Sequence, residues 1–222
     1  MKDKLFTNAV RIVFLGLFIF ILNQGKPILW LALFGISLLV AIFFGRIFCG
    51  WICPMNTFMV GTEWITDRLK IKKKKSPPWL ESGWLRWVVL LASVLLMVVG
   101  KRFLQKDIPV LIILLIVSVL MTLRYKAEVF HNKVCPFGIL QGFTGQFAKL
   151  SRRVDSNACI GCKKCETVCP AEAILVDGPT RKAQVNAKLC HQCTNCTLVC
   201  PTKAIDYGKK ITFNPTSSVH GL

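Results

Sequence analysis

Eight of the chain's eleven cysteines fall near the C-terminus in a single spacing written twice. Cys159, Cys162, Cys165 and Cys169 precede Pro170, and Cys190, Cys193, Cys196 and Cys200 precede Pro201. The copies are offset by 31 residues, and their flanks repeat with them: Val154-Asp155 recurs as Val185-Asn186, and Ala173-Ile174 as Ala204-Ile205. Three thiolates spaced by two residues let one loop wrap a cubane and hold three of its irons, leaving the fourth corner to a cysteine from elsewhere. A zinc site needs four ligands in a tetrahedron and has no use for a third evenly spaced cysteine. A disulfide scaffold suits a small secreted domain, whereas this run follows several apolar stretches and a basic flank. The spacing therefore predicts two 4Fe-4S clusters.

Residues 152–210 resemble a bacterial-type two-cluster ferredoxin. In such proteins the fourth cysteine of each run ligates the other cluster. That assigns Cys159, Cys162, Cys165 and Cys200 to one cluster, and Cys190, Cys193, Cys196 and Cys169 to the other. The resemblance implies one-electron transfer and a small α+β two-cluster ferredoxin domain over residues 151–210. His191, between two ligands of the second run, reads as a surface residue rather than a ligand. Residues 211–222 read as a flexible tail, with no role for His220.

Residues 1–150 read as an α-helical membrane domain. The chain is 53% hydrophobic with a mean hydropathy of +0.52, and the excess lies before residue 125. Four runs carry it, at residues 5–22, 28–44, 85–99 and 108–123, each near the lower limit for a spanning helix. They predict four transmembrane helices. Trp30, Trp79, Trp84 and Trp87 suit interfacial anchors, and Arg11 and Arg86 must snorkel or face the bundle interior. Lysines before the first run fit a signal peptide, but Asn23-Gln24-Gly25-Lys26-Pro27 is a poor cleavage site, so the run reads as a retained span. Lys2, Lys4 and Arg11, with Arg46, Arg68, Lys70 and lysines 72–75, outnumber Lys101, Arg102 and Lys106 on the opposite side. Both termini and the ferredoxin domain are expected on the cytoplasmic side of the inner membrane.

The net charge of +18 invites a nucleic-acid reading. Lysines 72–75 adjoin membrane spans with no base-stacking platform around them, so they read as a topology signal and a contact for anionic membrane lipid, and no nucleic-acid partner is expected. Residues 151–222 hold ten Lys or Arg against five Asp or Glu. Each oxidised cluster with its thiolates adds about −2, which brings the ferredoxin domain close to neutral.

The membrane half repeats as well, at an offset of 82 residues: Pro27, Cys53 and Pro54 match Pro109, Cys135 and Pro136. Each unit is a two-span hairpin ending in Cys-Pro, so the four helices form two repeated hairpins about an axis along the membrane normal. The ends carry Cys49-Gly-Trp-Ile-Cys53-Pro54 and His131-Asn-Lys-Val-Cys135-Pro136. Residues four apart share one helix face. Cys49, Cys53, His131 and Cys135 thus offer three thiolates and an imidazole, which could hold iron, zinc or a third iron-sulfur cluster. The competing reading is of small buried cysteines packing helix ends, with His131 solvated. After each Cys-Pro, Met55, Phe58, Met59, Thr62, Ile65 and Leu69, and then Ile139, Leu140, Phe143, Phe147 and Leu150, recur at helical spacing. Both read as helices lying at the membrane interface with a lipid-facing stripe.

With Gly45-Arg46-Ile-Phe-Cys49-Gly-Trp51-Ile-Cys53-Pro54, the two hairpins and the two-cluster ferredoxin, the chain resembles the NapH-type membrane iron-sulfur proteins, quinol dehydrogenase components found with periplasmic nitrate reductase, and related polyferredoxin-like proteins. It departs from them at His131, where the family usually has Cys. The resemblance implies a membrane-anchored relay of electrons between a membrane donor or acceptor, the quinone pool foremost, and a redox partner protein. No general acid, base or nucleophile constellation is visible. Quinol or quinone oxidoreductase activity would need a complex with a flavin- or haem-bearing subunit. The alternative is an assembly or metal-reducing maintenance factor working through the Cys49, Cys53, His131 and Cys135 set. A redox sensor ranks last, because the chain offers no kinase, nucleotide-binding or DNA-binding module.

Overall fold

The computed structural model describes residues 2–104 and 109–210; the start of the fourth apolar run and the expected tail at 211–222 lie outside the described residues. The helices are α1 (Lys2–Asn23), α2 (Pro27–Phe44), α3 (Pro54–Arg68), α4 (Pro78–Glu81), α5 (Leu85–Val99), α6 (Val110–Arg124), α7 (Ala127–Val129) and α8 (Pro136–Gly145). Three π-helical turns interrupt them: π1 (Phe48–Ile52), π2 (Gly100–Leu104) and π3 (Phe130–Val134). The C-terminal region adds β1 (Leu150–Val154), α9 (Lys164–Thr167), β2 (Ile174–Val176), β3 (Ala183–Val185), α10 (Asn195–Val199) and β4 (Ile205–Lys209). They form two compact units. One joins the chain up to Cys53 to the chain from Gln141 onward, and the other is Pro54–Leu140.

In the first unit, α1 and α2 form a hairpin turned by Gly25 at φ +66° and restarted by Pro27, whose missing N–H is no loss in a first helical turn. Lys4–Asn23 and Pro27–Phe44 are long and apolar enough to cross a membrane. Trp30 is not an interfacial anchor. It is buried edge-on against Phe18 at 4.9 Å and tilted against Phe48 at 6.2 Å, because both helices and π1 turn aromatic rings toward it. Trp79, Trp84 and Trp87, in the second unit, are exposed.

The ferredoxin-like part of this unit carries its 31-residue repeat into the backbone. β1 pairs antiparallel with β4, from Leu150↔Lys209 to Val154↔Ile205, and β2 pairs antiparallel with β3, from Ile174↔Val185 to Val176↔Ala183. In each copy an Asx side chain turns the chain into the cysteine loop. Asp155 Oδ1 accepts from the Asn157 amide at 2.9 Å and Asn186 Oδ1 from the Lys188 amide at 3.1 Å. The Asp155 amide donates to Ala204 O at 2.8 Å, and the Asn186 amide to Ala173 O at 2.7 Å. Left-handed residues also match in pairs, Gly161 with Gln192 and Glu172 with Lys203. Val154, Ile174 and Ile205 form the apolar core beneath. Leu150 opens β1 and does not close an amphipathic helix as expected. α8 ends at Gly145, and the Phe147 and Ala148 amides turn back onto Thr144 and Gly145.

In the second unit α3 packs on α6. Met55, Met59, Thr62 and Thr66 of α3 are buried, as are Leu111, Leu114, Ser118 and Thr122 of α6. The stripe expected to face lipid is therefore split. Met55, Met59 and Thr62 turn inward, while Phe58, Ile65 and Leu69 stay exposed. The inward face is rich in hydroxyls that satisfy themselves: Thr62 donates to Phe58 O at 2.9 Å, and Thr122 to Ser118 O at 2.7 Å. Small side chains with no outstanding polar demand let two helices approach closely. The lysine run is tied down in part, since Lys73 pairs with Glu63 at 2.8 Å and the Lys74 amide donates to Arg124 O at 3.0 Å. α5 is apolar yet buries none of its residues, and runs on into π2. α5 and α6 have 15 residues each, about 22 Å of α-helix against a hydrocarbon core of about 30 Å.

Candidate functional site

Two cavities open in the ferredoxin-like region. The first is lined by Cys159, Cys162, Cys165 and Cys200. The second is lined by Cys169, Cys190, Cys193 and Cys196. Each cavity thus draws three cysteines from one run and the last cysteine of the other. The remaining walls are mostly apolar, with Val154, Val176 and Ile205 in the first and Ile174 and Val185 in the second. Main-chain amides point at the sulfurs: Ala183 N–H donates to Cys159 Sγ at 3.4 Å, Ala173 N–H to Cys169 Sγ at 3.2 Å and Ala204 N–H to Cys200 Sγ at 3.3 Å. The last two donors are repeat equivalents.

These donor sets fit an iron-sulfur cluster. Burial pushes the Cys165 thiol up to about 11 and the Cys196 thiol up to about 12, with neighbouring cysteines adding to the shift. Burial also raises Cys169, and raises Cys190 further still. A thiol so placed ionises when a bound metal supplies the compensating positive charge. Amide donors to the sulfurs and an apolar wall are the means by which a protein sets a cluster's potential.

The loop of the second run is seated on the N-terminal half of its own unit. Arg46 donates from Nη1 to Lys188 O and Leu189 O, both at 3.3 Å, and from Nη2 to Cys49 Sγ at 3.7 Å. Arg11 Nε donates to Gly50 O at 2.9 Å, and Trp51 Nε1 to Gln192 O at 3.1 Å. At Gly50 the backbones meet so closely that a Cβ would lie 2.2 Å from His191 O, and at Gly45 a Cβ would lie 2.6 Å from the side-chain Nε2 of Gln192. Gln192 holds its left-handed conformation by donating to Ser151 Oγ at 3.0 Å and accepting the Arg152 amide at 2.9 Å. Arg152 Nε completes the clamp on Cys193 O at 3.1 Å. His191 is not a surface residue. It is 2% exposed, because its loop is pressed onto π1.

Sequence reasoning passed over Arg46 as a topology charge and did not single out Gln192 or Arg152. The signal for Gln192 was the departure from the repeat, where Gly161 stands in the other copy. Arg46 gives no such signal, because its partners lie 142 and 143 residues away.

The 82-residue repeat reappears as local geometry. π1 and π3 are equivalent five-residue turns, each closed by the cysteine that precedes proline: the Cys53 amide donates to Phe48 O at 2.9 Å and the Cys135 amide to Phe130 O at 2.8 Å. The turn is wider than the α-helical one the spacing predicts, and such turns recur at functional sites. Cys49, Cys53, His131 and Cys135 are all buried. Cys49 and Cys53 belong to the first unit, and His131 and Cys135 to the second. Within either unit, among the described residues, no group of three or more His, Cys, Asp or Glu closes as a single metal ion would require.

Residues 27–77 and 107–154 match a family described as a 4Fe-4S binding domain, and residues 158–204 one described as a 4Fe-4S dicluster domain. The chain is thus an iron-sulfur protein with ferredoxin-type domains. It is a distant homologue of the ferredoxin-type proteins MauN and NapH. It is 27% identical to the methylamine utilization ferredoxin-type protein MauN of Methylobacillus flagellatus over 73% of this chain and 62% of that one. With the ferredoxin-type protein NapH of Haemophilus influenzae it shares 27% identity, over 65% of this chain and 55% of that one. An uncharacterized protein of Methanocaldococcus jannaschii is 28% identical over 62% of this chain and 56% of that one. The chain therefore spans less than two thirds of the length of these relatives. No solved structure matches it.

Proposed function

We propose that the protein is a membrane-anchored iron-sulfur electron carrier, relaying electrons between the quinone pool and a redox partner protein. The observation that carries this reading is the pair of cysteine-lined cavities, each completed by a cysteine of the other run, in one unit with two helices of membrane-crossing length. When bound, each 4Fe-4S cluster takes up or gives back one electron. Cys159, Cys162, Cys165 and Cys200 would hold one, and Cys190, Cys193, Cys196 and Cys169 the other. The chain's own part is to fix the separation of the two sites, to exclude water with Val154, Ile174 and Ile205, and to aim the amides of Ala173, Ala183 and Ala204 at sulfur. Those amides favour the more negatively charged, reduced state.

The exposed apolar length of α5 supports two further spans, α5 with π2 and α6, for four in all with both termini cytoplasmic. The matching π turns set His131 and Cys135 in the same local geometry as Cys49 and Cys53. The names of the MauN and NapH relatives support the ferredoxin-type role. Redox chemistry on a substrate then falls to a partner bearing flavin or haem.

Two measurements test this. Anaerobically reduced full-length protein mixed with a menaquinone analogue is expected to reoxidise rapidly and saturably by cluster absorbance, and slow, unsaturable oxidation would remove the quinone from the reading. Cys200→Ser and Cys169→Ser are each expected to cut bound iron from about eight to about four per chain. Unchanged iron in either variant would overturn the crossed assignment.

A further inference from the structure

The two cysteine loops are repeat equivalents in sequence and backbone, yet their surroundings differ. In the first loop Ile160 is 61% exposed, and Cys162, Lys163 and Lys164 are exposed beside it. In the second loop the equivalents of Ile160 and Gly161 are His191 and Gln192, both 2% exposed, and Cys193, the equivalent of Cys162, is buried. What covers the second loop is the N-terminal half of the same unit. Gly50 and Gly45 bring main chain against it, Trp51 and Arg46 bond its carbonyls, and Arg11 on α1 braces π1 by donating to Gly50 O. Arg46 also reaches Cys49 Sγ, so one guanidinium touches both the loop and the first Cys-Pro motif.

We infer that the two cluster sites are polarised: the site of Cys169, Cys190, Cys193 and Cys196 exchanges electrons with a quinol or quinone on the side of α1, α2 and π1, and the site of Cys159, Cys162, Cys165 and Cys200 exchanges them with a soluble redox partner. This rests on the relay reading above. Electronic coupling falls steeply with distance, and the second loop touches π1 while the first presents its rim to solvent. A quinol donor would give up two electrons, one at a time through the buried site, and release two protons to water; each electron would leave the exposed site for a one-electron acceptor. In the reverse direction the order of the two sites is reversed. Arg11 and Arg46 are positioning residues, and their buried positive charges raise the potential of the inner site relative to its repeat equivalent.

The test uses full-length protein in lipid nanodiscs under argon. Iron and sulfide content come first, because failure to hold two clusters defeats the relay reading itself. With both clusters present, bathophenanthroline and an excess of oxidant are added and cluster absorbance is followed. Loss in two phases of equal amplitude is expected, the slow phase at least tenfold slower than the fast one. Gly50→Val, which forces His191 off π1, is expected to accelerate the slow phase several-fold and to leave the fast phase alone. A single phase in the unaltered protein, or a Gly50→Val effect on the fast phase, overturns the polarity. Should Gly50→Val fail to assemble, Arg11→Gln supplies a second readout by redox titration. One cluster alone is expected to become harder to reduce by about tenfold in its equilibrium, about 59 mV for a one-electron couple. Equal shifts in both clusters, or none, overturn the inference.

Discussion

At Gln192 a non-glycine residue holds φ +56° where the repeat has glycine at φ +68°. Left-handed backbone costs an ordinary residue about 1–2 kcal/mol, so the side chain must compensate, and its bonds to Ser151 and the Arg152 amide do so. Gln192→Ala keeps the conformational cost and loses both bonds. It is expected to destabilise the cluster-loaded protein by about 1–3 kcal/mol, read as a lower urea midpoint for loss of cluster absorbance. Gln192→Gly is expected to cost less than Gln192→Ala, because glycine adopts this φ freely. At the equivalent Gly161 the order reverses. A Cβ there would stand 2.2 Å from Arg181 O, so Gly161→Ala is expected to lower cluster retention more than Gln192→Gly does, as bound iron after desalting will report. The repeat holds a signal for Gln192, as the exception to Gly161, that the sequence reading passed over. Its partner Trp51 was not visible, since no local pattern announces a contact 141 residues away.

Between elements, the α3–α6 seam shows what periodicity can and cannot convey. The spacing of Met55, Met59 and Thr62 predicts a helix with one distinct face, and α3 is that helix. It does not say whether lipid or another helix covers the face. The answer lies in Thr66, Ser118 and Thr122, which are fully buried and small enough for close approach. Ser118→Leu is expected to overpack the seam and cost about 1–3 kcal/mol. A lower melting temperature of the purified protein in detergent, with both clusters still bound, would register it. Helix ends were legible to within a few residues, because apolar runs end where Gly25-Lys26-Pro27, Gly45 and Arg124 break them. The strand at Leu150 was not. Its apolar register continues that of α8, and only the turn at residues 146–148 separates them.

Across the whole molecule, the cluster domain was the most legible part. Eight cysteines at fixed spacing leave few ways to fold, and the fold used pairs each strand of one copy with a strand of the other. The apolar helices were legible as hydropathy, and the orientation proposed for them rests on basic residues alone. Green fluorescent protein fused after Leu222 is expected to fluoresce, and alkaline phosphatase fused at the same point to be silent. The opposite pattern would place the ferredoxin domain outside. The cross-pairing has a consequence for how such a domain could have arisen. A lone 31-residue copy would own one strand of each sheet, three of the four thiolates of one cavity and a single thiolate of the other. Two separate copies would complete both sheets and both cavities by exchanging strands and end cysteines. Two such copies would make a two-fold symmetric dimer, and within one chain the halves are free to differ: one keeps an exposed isoleucine, and the other buries a histidine against π1.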